Sequence, residues 1–327
     1  MNTEQPFAFI IPFYGDSKNS VSFLAWTIEG ILAQTDQNWI AIVVDDCSTS
    51  SDAKEFLESL RSQDQDGRIV VIGNRSNKGP GFCRNVGVAC AVEKGSPVVL
   101  FNDSDDISHP RRLEQTREIF HQQPDTGLVY SHVIVIDENN VHCADRKYSG
   151  SMEEILAAST VNPPEGRDCW IKIGTMTGYV NLTSTTSVRT EFILKHPFPH
   201  EYVSEDSNTW YRLSGDGVFF TYTPHIPTRY RITSDSMESH SRRRFANQFY
   251  DDKARVDIDG FQQAIRLSLA RGSITPEAAV DIFRMFLTRL SKTIESEAKY
   301  ELSSSLLGLV PKLSTLVDTL SEVVYAR

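Results

Sequence analysis

The chain has 327 residues, with 33 Lys and Arg against 43 Asp and Glu, a formal net charge of −10 and 40% hydrophobic residues. This composition is typical of a folded globular protein and excludes a disordered, collagen-like or disulfide-stapled chain. The acidic total argues against a general nucleic-acid binder, because such proteins present a basic surface.

The sequence carries no obvious targeting or membrane segment. No apolar run approaches the roughly 18 residues that span a bilayer, and the polar first residues lack the pattern of a signal peptide. The five cysteines are odd in number and contain no C-x-x-C pair, so reduced thiols are expected. These features predict a cytoplasmic protein without a transmembrane segment.

The first hundred residues alternate short apolar runs with amphipathic patterns, as a parallel sheet with crossover helices requires. The pattern predicts strands at 7–11, 40–44, 68–72 and 97–101, with helices at 20–34, 53–61 and 81–94 between them. In open α/β sheets, ligands bind outside the carboxyl ends of the strands. The polar residues that follow these strands are therefore candidate site residues.

The rest of the chain is less regular and then becomes helical. Strands are predicted at 127–136 and 217–222, and helices at 151–158 and 204–213. Beyond residue 251, Thr275 and Pro276 open a helix whose apolar stripe favours packing within the protein. A last helix is predicted at 306–324, broken or kinked near Pro311. We therefore expect one domain over 1–250 and a helical region over 251–327.

An acidic cluster follows the fourth predicted strand, with Asp103, Asp105 and Asp106 in four positions. Alternation along an extended segment points Asp103 and Asp105 to the same side. Adjacent carboxylates repel unless a cation neutralises them, and Mg²⁺ or Mn²⁺ accepts such oxygens while keeping positions open for phosphates. The pattern alone leaves a solvated acidic turn as an equal alternative.

Candidate nucleotide contacts follow the other strands. The aromatic ring of Tyr14 can stack on a base, and Asp45 and Asp46 can accept from a base N–H or a ribose hydroxyl. A glycine-rich turn places Lys78 and Arg84 around a helix start, where they and the backbone N–H groups can face phosphate. Each of these signals is weak alone, since a glycine-rich turn more often serves only loop geometry.

The order of the motifs resembles the family 2 glycosyltransferases. The matching segments are QT at 34–35, IIPFY at 10–14, VVDDCST at 43–49, NKGPG at 77–81, RNVG at 84–87, DSDD at 103–106, SED at 204–206, WYRL at 210–213 and YRI at 230–232. They cover about two thirds of the chain and leave out the C-terminal helices. The resemblance implies the GT-A fold, a Rossmann-like mixed α/β sheet flanked by helices, here with a C-terminal helical appendage.

The same resemblance implies an inverting enzyme that moves a sugar from a nucleotide diphosphate, most often a UDP-sugar, to an acceptor hydroxyl. It implies roles for these residues: Pro12 and Tyr14 at the base, Asp46 with Asp45 at base or ribose, Lys78 and Arg84 at the nucleotide phosphates, Asp103 at ribose or metal, Asp105 as principal metal ligand, and Asp206 beside Glu205 as general base. An alcohol needs such a base because it is a poor nucleophile until a carboxylate takes its proton.

Several alternatives stay open. Glu205 and Asp206 alone would fit acids that complement a helix dipole, and Asn102 stands where the family usually has an apolar residue. Arg229 or Arg231 could reach the diphosphate, with a surface salt bridge at least as plausible. A non-catalytic nucleotide-sugar or glycan-binding module that retains the fold is the alternative function.

The expected partners follow from the implied reaction. They are a nucleotide-sugar donor, a divalent Mn²⁺ or Mg²⁺ ion, and a glycan, glycolipid or glycoprotein acceptor from polysaccharide or glycoconjugate biosynthesis, with no nucleic acid. Peripheral membrane contact, for example through the basic run at 242–244, and a homo-oligomer formed through the C-terminal helices stay open.

Overall fold

The structure is a computed structural model that describes residues 5–63, 66–148, 150–234, 244–245, 248–297 and 299–309. The chain forms two compact units. The first comprises Met1–Asp145, Asn181–Tyr202 and Thr221–Asp235, and the second comprises Arg146–Val180, Val203–Phe220 and Ser236–Arg327. The domains predicted from the sequence, over 1–250 and 251–327, were divided by expected function, and that division stays a prediction.

Strands and helices alternate along the first part of the chain. The strands are β1 Phe7–Phe13, β2 Trp39–Asp45, β3 Ile69–Gly73, β4 Val98–Phe101, β5 Thr126–Tyr130, β6 Val133–Ile136, β7 Ser187–Arg189, β8 Phe219–Tyr222 and β9 Thr228–Arg231. The helices are α1 Lys18–Leu32, α2 Ser51–Gln63, α3 Pro80–Glu93, α4 Arg112–Gln122, α5 Gly150–Thr160, α6 Cys169–Lys172, α7 Thr190–Lys195, α8 Glu205–Gly215, α9 Gln248–Arg271, α10 Pro276–Ser296 and α11 Tyr300–Leu307.

The main sheet has seven strands in the order β3-β2-β1-β4-β7-β5-β8. Strands β3, β2, β1 and β4 run parallel, and β7 is antiparallel to both β4 and β5. A second, two-stranded sheet pairs β6 with β9 in parallel. The predicted mixed α/β sheet flanked by helices is therefore confirmed.

The central strands are buried along their whole length. All seven residues of β1 and all four of β4 are buried, as expected of strands covered on both faces. Their apolar side chains, with Leu24, Ile28 and Leu57 from the helices, form the main core of the first unit. This core fixes the strand ends that carry the candidate site residues.

In the second unit, α8 and α9 approach closely because glycine lies at the contact. A Cβ on Gly215 would lie 2.5 Å from the Ala264 Cα, and a Cβ on Gly260 would lie 2.6 Å from the Asn208 Cα. The rings of Phe261 and Phe286 stack beside this contact with centroids 3.9 Å apart. The C-terminal helix α9 therefore packs directly on the helix that carries Asp206.

The helix over Pro276–Ser296 forms as its sequence pattern predicts. The Thr275 hydroxyl accepts from the Ala278 N–H at 3.2 Å, and Pro276 takes the first helical position. The predicted apolar stripe is buried at Ile282, Phe283, Phe286, Leu287, Leu290 and Ile294. This burial agrees with packing within the protein.

Other predictions differ from the structure. The single strand predicted at 127–136 is two strands, β5 and β6, because the chain leaves the main sheet at Ser131, whose hydroxyl donates to the Ile226 carbonyl at 2.9 Å. The part of the last predicted helix beyond residue 309, with Pro311, lies outside the described residues, as do residues 242 and 243 of the basic run. Within the described residues, no helix is long and apolar enough to cross a membrane.

Candidate active site

The ends of β1 and β2 lie side by side and build a rigid turn. Phe13 pairs with Asp45, and the Asp46 N–H donates to the Phe13 carbonyl at 2.7 Å. The Ser48 hydroxyl accepts from the Gly15 N–H at 2.7 Å and donates to the Asp45 carboxylate. Asp45 therefore holds the turn that follows its own strand. Of the two residues predicted at the base, Pro12 is buried within β1 and Tyr14, just beyond it, is half-buried.

The carboxylate of Asp46 holds the glycine-rich turn before α3. It accepts from the backbone N–H groups of Lys78 and Gly79, both at 2.8 Å, and from the Asn74 amide at 2.9 Å. Asp46 is only 4% exposed. Its carboxylate therefore has three protein donors, and its first role is to shape the loop on which the exposed side chain of Lys78 stands.

Gly79 is needed at this turn for two reasons. Its φ of 87° lies in the left-handed region, and a Cβ there would lie 3.0 Å from the ring of Tyr202. The Tyr202 hydroxyl also donates to the Asn77 side chain at 3.3 Å. Tyr202, which is 38% exposed, therefore lies against the turn and presents an aromatic surface there. It was not among the site residues predicted from the sequence.

Arg84 and Asp103, both predicted to face the nucleotide, form an ion pair. The Arg84 Nη2 donates to the Asp103 Oδ1 at 2.6 Å, and the guanidinium lies 5.4 Å from the centre of the Phe198 ring. The Arg84 side chain is 4% exposed and that of Asp103 is 31% exposed. Arg84 therefore carries a buried positive charge at the edge of the acidic loop, which comprises residues 103–106 after β4.

Asn102 ties the acidic loop to the core. Its amide nitrogen donates to the carbonyls of Asp103 and Asp106 at 2.9 and 3.0 Å, and its oxygen accepts from Ser108 at 2.7 Å and from Arg112 at 3.3 Å. An apolar side chain could make none of these bonds. The departure from the family pattern at this position therefore gives the loop an internal support.

Arg112 extends this support beneath the sheet. It is fully buried and donates to the carbonyls of Phe101 and Thr186 at 2.9 and 3.0 Å. Burial lowers the pKa of Arg112 to about 9. The acidic loop thus rests on a buried guanidinium whose two Nη atoms donate to protein oxygens.

Asp106 is the inward-facing member of the acidic cluster. It is fully buried, and its Oδ1 accepts from the Arg231 N–H at 2.9 Å. Burial, followed by the charges of Asp105 and Asp103, raises the pKa of Asp106 well above its ordinary value. Asp103 and Asp105 are half-buried and stand nearer to solvent.

Arg231 fastens the loop from the other side. Its Nε donates to the Asp105 carbonyl at 2.8 Å, and its other nitrogens donate to the Asp137 carbonyl at 2.5 Å and the Asn140 side chain at 2.7 Å. The guanidinium is buried beneath Phe23 at 4.4 Å. Arg231 therefore holds the acidic loop in place through hydrogen bonds to other segments. This is neither the diphosphate contact nor the surface salt bridge considered from the sequence.

The acidic loop suits a hard divalent ion. The described residues contain no group of three or more His, Cys, Asp and Glu arranged to hold a metal by themselves. Mg²⁺ and Mn²⁺ sites that serve phosphates commonly use one or two carboxylates and leave the other positions to water and substrate. Asp103 and Asp105, whose charges also act on buried Asp106, are the two partly exposed carboxylates of the loop that could supply such oxygens.

Asp206 lies in the first turn of α8, in the second unit. Its Oδ1 accepts from the Ser207 N–H at 2.7 Å, and its Oδ2 accepts from the hydroxyl of Tyr179. Ser204 turns the chain into the helix with a φ of 57°, and Glu205 is buried. Of the predicted acid pair, Asp206 is thus the more exposed member, and its carboxylate accepts from a tyrosine hydroxyl.

Tyr179 is a site residue that sequence reasoning missed. Burial, followed by the charge of Asp206, raises the pKa of Tyr179 well above its ordinary value. The phenol therefore keeps its proton and donates a hydrogen bond to the carboxylate. The two residues are 27 positions apart. No local pattern in the sequence indicates their pairing.

Comparison with known proteins supports the resemblance found in the motifs. A family model described as "Glycosyl transferase family 2" matches residues 8–180. The uncharacterized glycosyltransferase MJ1057 of Methanocaldococcus jannaschii is 34% identical over 117 residues, which is 36% of this chain and 39% of that protein. The match thus spans well under half the length of this curated relative.

Two solved structures are similar over nearly the whole chain. TarS residues 1–349 of S. aureus, in complex with UDP-GlcNAc, has a TM-score of 0.60 at 16% identity and matches 98% of this chain and 91% of that one. The mannosyltransferase PcManGT from Pyrobaculum calidifontis, in complex with GDP-Man and Mn²⁺, has a TM-score of 0.54 at 12% identity, over 98% and 86%. At these identities the likeness concerns the fold, and it confirms the expected GT-A architecture.

Proposed function

The chain belongs to glycosyl transferase family 2, and on this basis we propose that it transfers a sugar from a nucleotide diphosphate to an acceptor hydroxyl. The observation that carries the proposal is the acidic loop, which Asn102 and Arg231 hold from two sides. This support fixes the backbone of Asp103 and Asp105 at the carboxyl end of β4, where α/β sheets bind their ligands. A solvated acidic turn would need no such buried support.

The donor side of the proposed reaction uses the first unit. Asp105, with Asp103, would hold Mn²⁺ or Mg²⁺, and such an ion supplies positive charge for the diphosphate that leaves. The exposed side chain of Lys78, on the turn before α3, is suited to phosphate oxygens. Arg84 balances the charge of Asp103, so the loop can accept a nucleotide without an excess of negative charge.

The acceptor side uses Asp206. In the proposed step its carboxylate takes the proton of the acceptor hydroxyl as the acceptor oxygen bonds to the anomeric carbon. The bond from that carbon to the phosphate oxygen breaks, and the nucleoside diphosphate leaves with its electron pair. A single displacement of this kind inverts the anomeric centre, and a positioned base contributes about 10²–10⁴-fold to its rate.

We further propose a UDP-sugar as the donor and a glycan, glycolipid or glycoprotein as the acceptor. The motif order supports the choice of UDP, and the TarS structure carries UDP-GlcNAc, whereas PcManGT carries GDP-Man with Mn²⁺. We also propose a cytoplasmic location, because the five scattered cysteines are expected to be reduced thiols. The apolar stripe of α10 is buried within the protein, so self-association through the C-terminal helices would have to use other faces.

A thermal-shift screen of nucleotides and nucleotide sugars, with and without Mn²⁺, tests the donor side. A ligand that binds the folded state stabilises it, by about 2.7 kcal/mol at a hundredfold excess over its dissociation constant. We expect a metal-dependent gain for one nucleotide class and its loss in Asp105→Asn. Binding without turnover in the presence of acceptors would favour the non-catalytic binding module.

A further inference from the structure

A tyrosine outside the family motifs donates to the carboxylate proposed as the base. The Tyr179 hydroxyl contacts Asp206 Oδ2, while Asp206 Oδ1 accepts the backbone N–H of Ser207. From this geometry we infer that Tyr179 is a positioning residue that fixes the orientation of the Asp206 carboxylate for proton transfer. The inference rests on the proposed role of Asp206 as base.

The backbone before Tyr179 is built to place its hydroxyl. Residues Ile173–Thr177 form a π-helical turn, a rare element that is frequent at functional sites. Gly178 follows with a φ of 78°, and a Cβ on it would lie 2.0 Å from the Arg289 Nη2. Arg289 in turn pairs with Glu154. A tight turn and a partly buried ion pair therefore set the position of the chain immediately before Tyr179.

The electrostatic surroundings keep the proton on the phenol. The charged groups that face it are the carboxylates of Asp206 and Glu205, which oppose its ionisation. On the neighbouring helix α9, Lys253 contacts the Ser204 hydroxyl at 3.4 Å and pairs with Asp257 at 2.7 Å. Tyr179 is thus a hydrogen-bond donor to Asp206 at neutral pH.

This donor restricts the orientation of a base. It holds one oxygen in place, which reduces the orientations that the carboxylate can adopt. A tyrosine that served only to anchor α8 would affect the stability of the helix and leave kcat of the folded enzyme unchanged. A fall in kcat at an unchanged KM, measured where the variant is fully folded, therefore separates the two roles.

The test compares wild type with Tyr179→Phe, which keeps the ring and removes the hydroxyl. We expect kcat to fall about tenfold with an unchanged KM for the donor, because a hydrogen bond to a charged group is lost. Thermal unfolding of the same variant measures any loss of stability, and the fall in kcat should persist at temperatures where the variant is fully folded. Tyr222→Phe, which removes a hydroxyl bonded to His132, is the matched control and should change neither kcat nor KM.

A second variant keeps the test decisive if Tyr179→Phe does not fold. Tyr179→Met removes the hydroxyl with a flexible side chain that can fill the space of the ring, and it should lower kcat at an unchanged KM in the same way. An unchanged kcat in the variants that fold, beside an inactive Asp206→Asn, would overturn the role of Tyr179 and leave the proposed base intact. Full activity of Asp206→Asn would instead overturn the proposed base itself.

Discussion

The guanidinium of Arg84 lies 2.6 Å from the carboxylate of Asp103, with the arginine side chain almost fully buried and that of the aspartate partly exposed. The pair joins the start of α3 to the loop after β4. Arg112 and Arg231 also act electrostatically on the acidic residues 103–106, so Arg84 is one of several positive charges that the protein places against the loop.

Loss of this ion pair should destabilise the protein measurably. Arg84→Gln leaves the Asp103 carboxylate without its charged donor, and we expect the free energy of unfolding to fall by about 1–3 kcal/mol, less than for a fully buried pair. Urea denaturation measures the change. Arg61→Gln, which breaks the exposed pair with Glu58, is the control and should cost no more than about 0.5 kcal/mol. Equal losses in the two variants would contradict the importance of the buried pair.

The amide of Asn102 should be more stabilising than the apolar residue typical of the family. Asn102→Leu removes one donor from each of the carbonyls of Asp103 and Asp106 and takes the side-chain acceptor from the buried Arg112, so we expect a loss of about 2–4 kcal/mol. The same denaturation experiment on Asn139→Leu, at an exposed turn position, should show a change of about 0.5 kcal/mol or less. A neutral Asn102→Leu would show that the loop does not need this support.

The contact between α8 and α9 should depend on the absence of a side chain at Gly215. A Cβ there would lie 2.5 Å from the Ala264 Cα, so Gly215→Ala forces the helices apart, and we expect a loss of about 1–3 kcal/mol. Gly73→Ala, whose Cβ would have no neighbour within 4 Å, is the control. Thermal unfolding of both variants checks this. A stabilised Gly215→Ala would mean that helix propensity outweighs the close contact.

Stability should fall in acid partly because of His132. Burial lowers the pKa of His132 below its ordinary value, so the unfolded chain binds its proton more readily than the folded chain does. The contribution of His132 is therefore complete above about pH 6.5 and is lost as the pH falls through the lower folded-state value. Thermal unfolding between pH 7.5 and 5 should show a shallower decline for His132→Gln. Superimposable profiles would rule this contribution out.

Much of the fold follows from local sequence. The strands β1 to β4 and the helices between them are predicted because period and length are properties of each segment alone. The position of Asp103 and Asp105 follows too, since polar residues directly after a buried strand must lie at the sheet edge. The protein partners of Asp46 and Arg84 were not predicted, because they come from distant segments. The contacts of these two residues with nucleotide stay a prediction.

The support of the site could not be predicted in the same way. Asn102 is adjacent to the acidic loop, but its value depends on Arg112, which is ten residues away and buried. Tyr179 reaches Asp206 only because a π-helical turn and Gly178 bend the chain before it. Such contacts depend on tertiary packing, and no period or composition of the sequence encodes them.

The most direct test of the proposed function is the rate of nucleoside diphosphate release from a panel of nucleotide sugars with Mn²⁺ and a set of glycan acceptors. Wild type should release the nucleotide, and Asp206→Asn should be at least about 10²-fold slower while it still binds the donor, because only the base is lost. An Asp206→Asn variant as fast as wild type, or a wild type that binds nucleotide sugars and never releases the nucleotide, would contradict the proposed function.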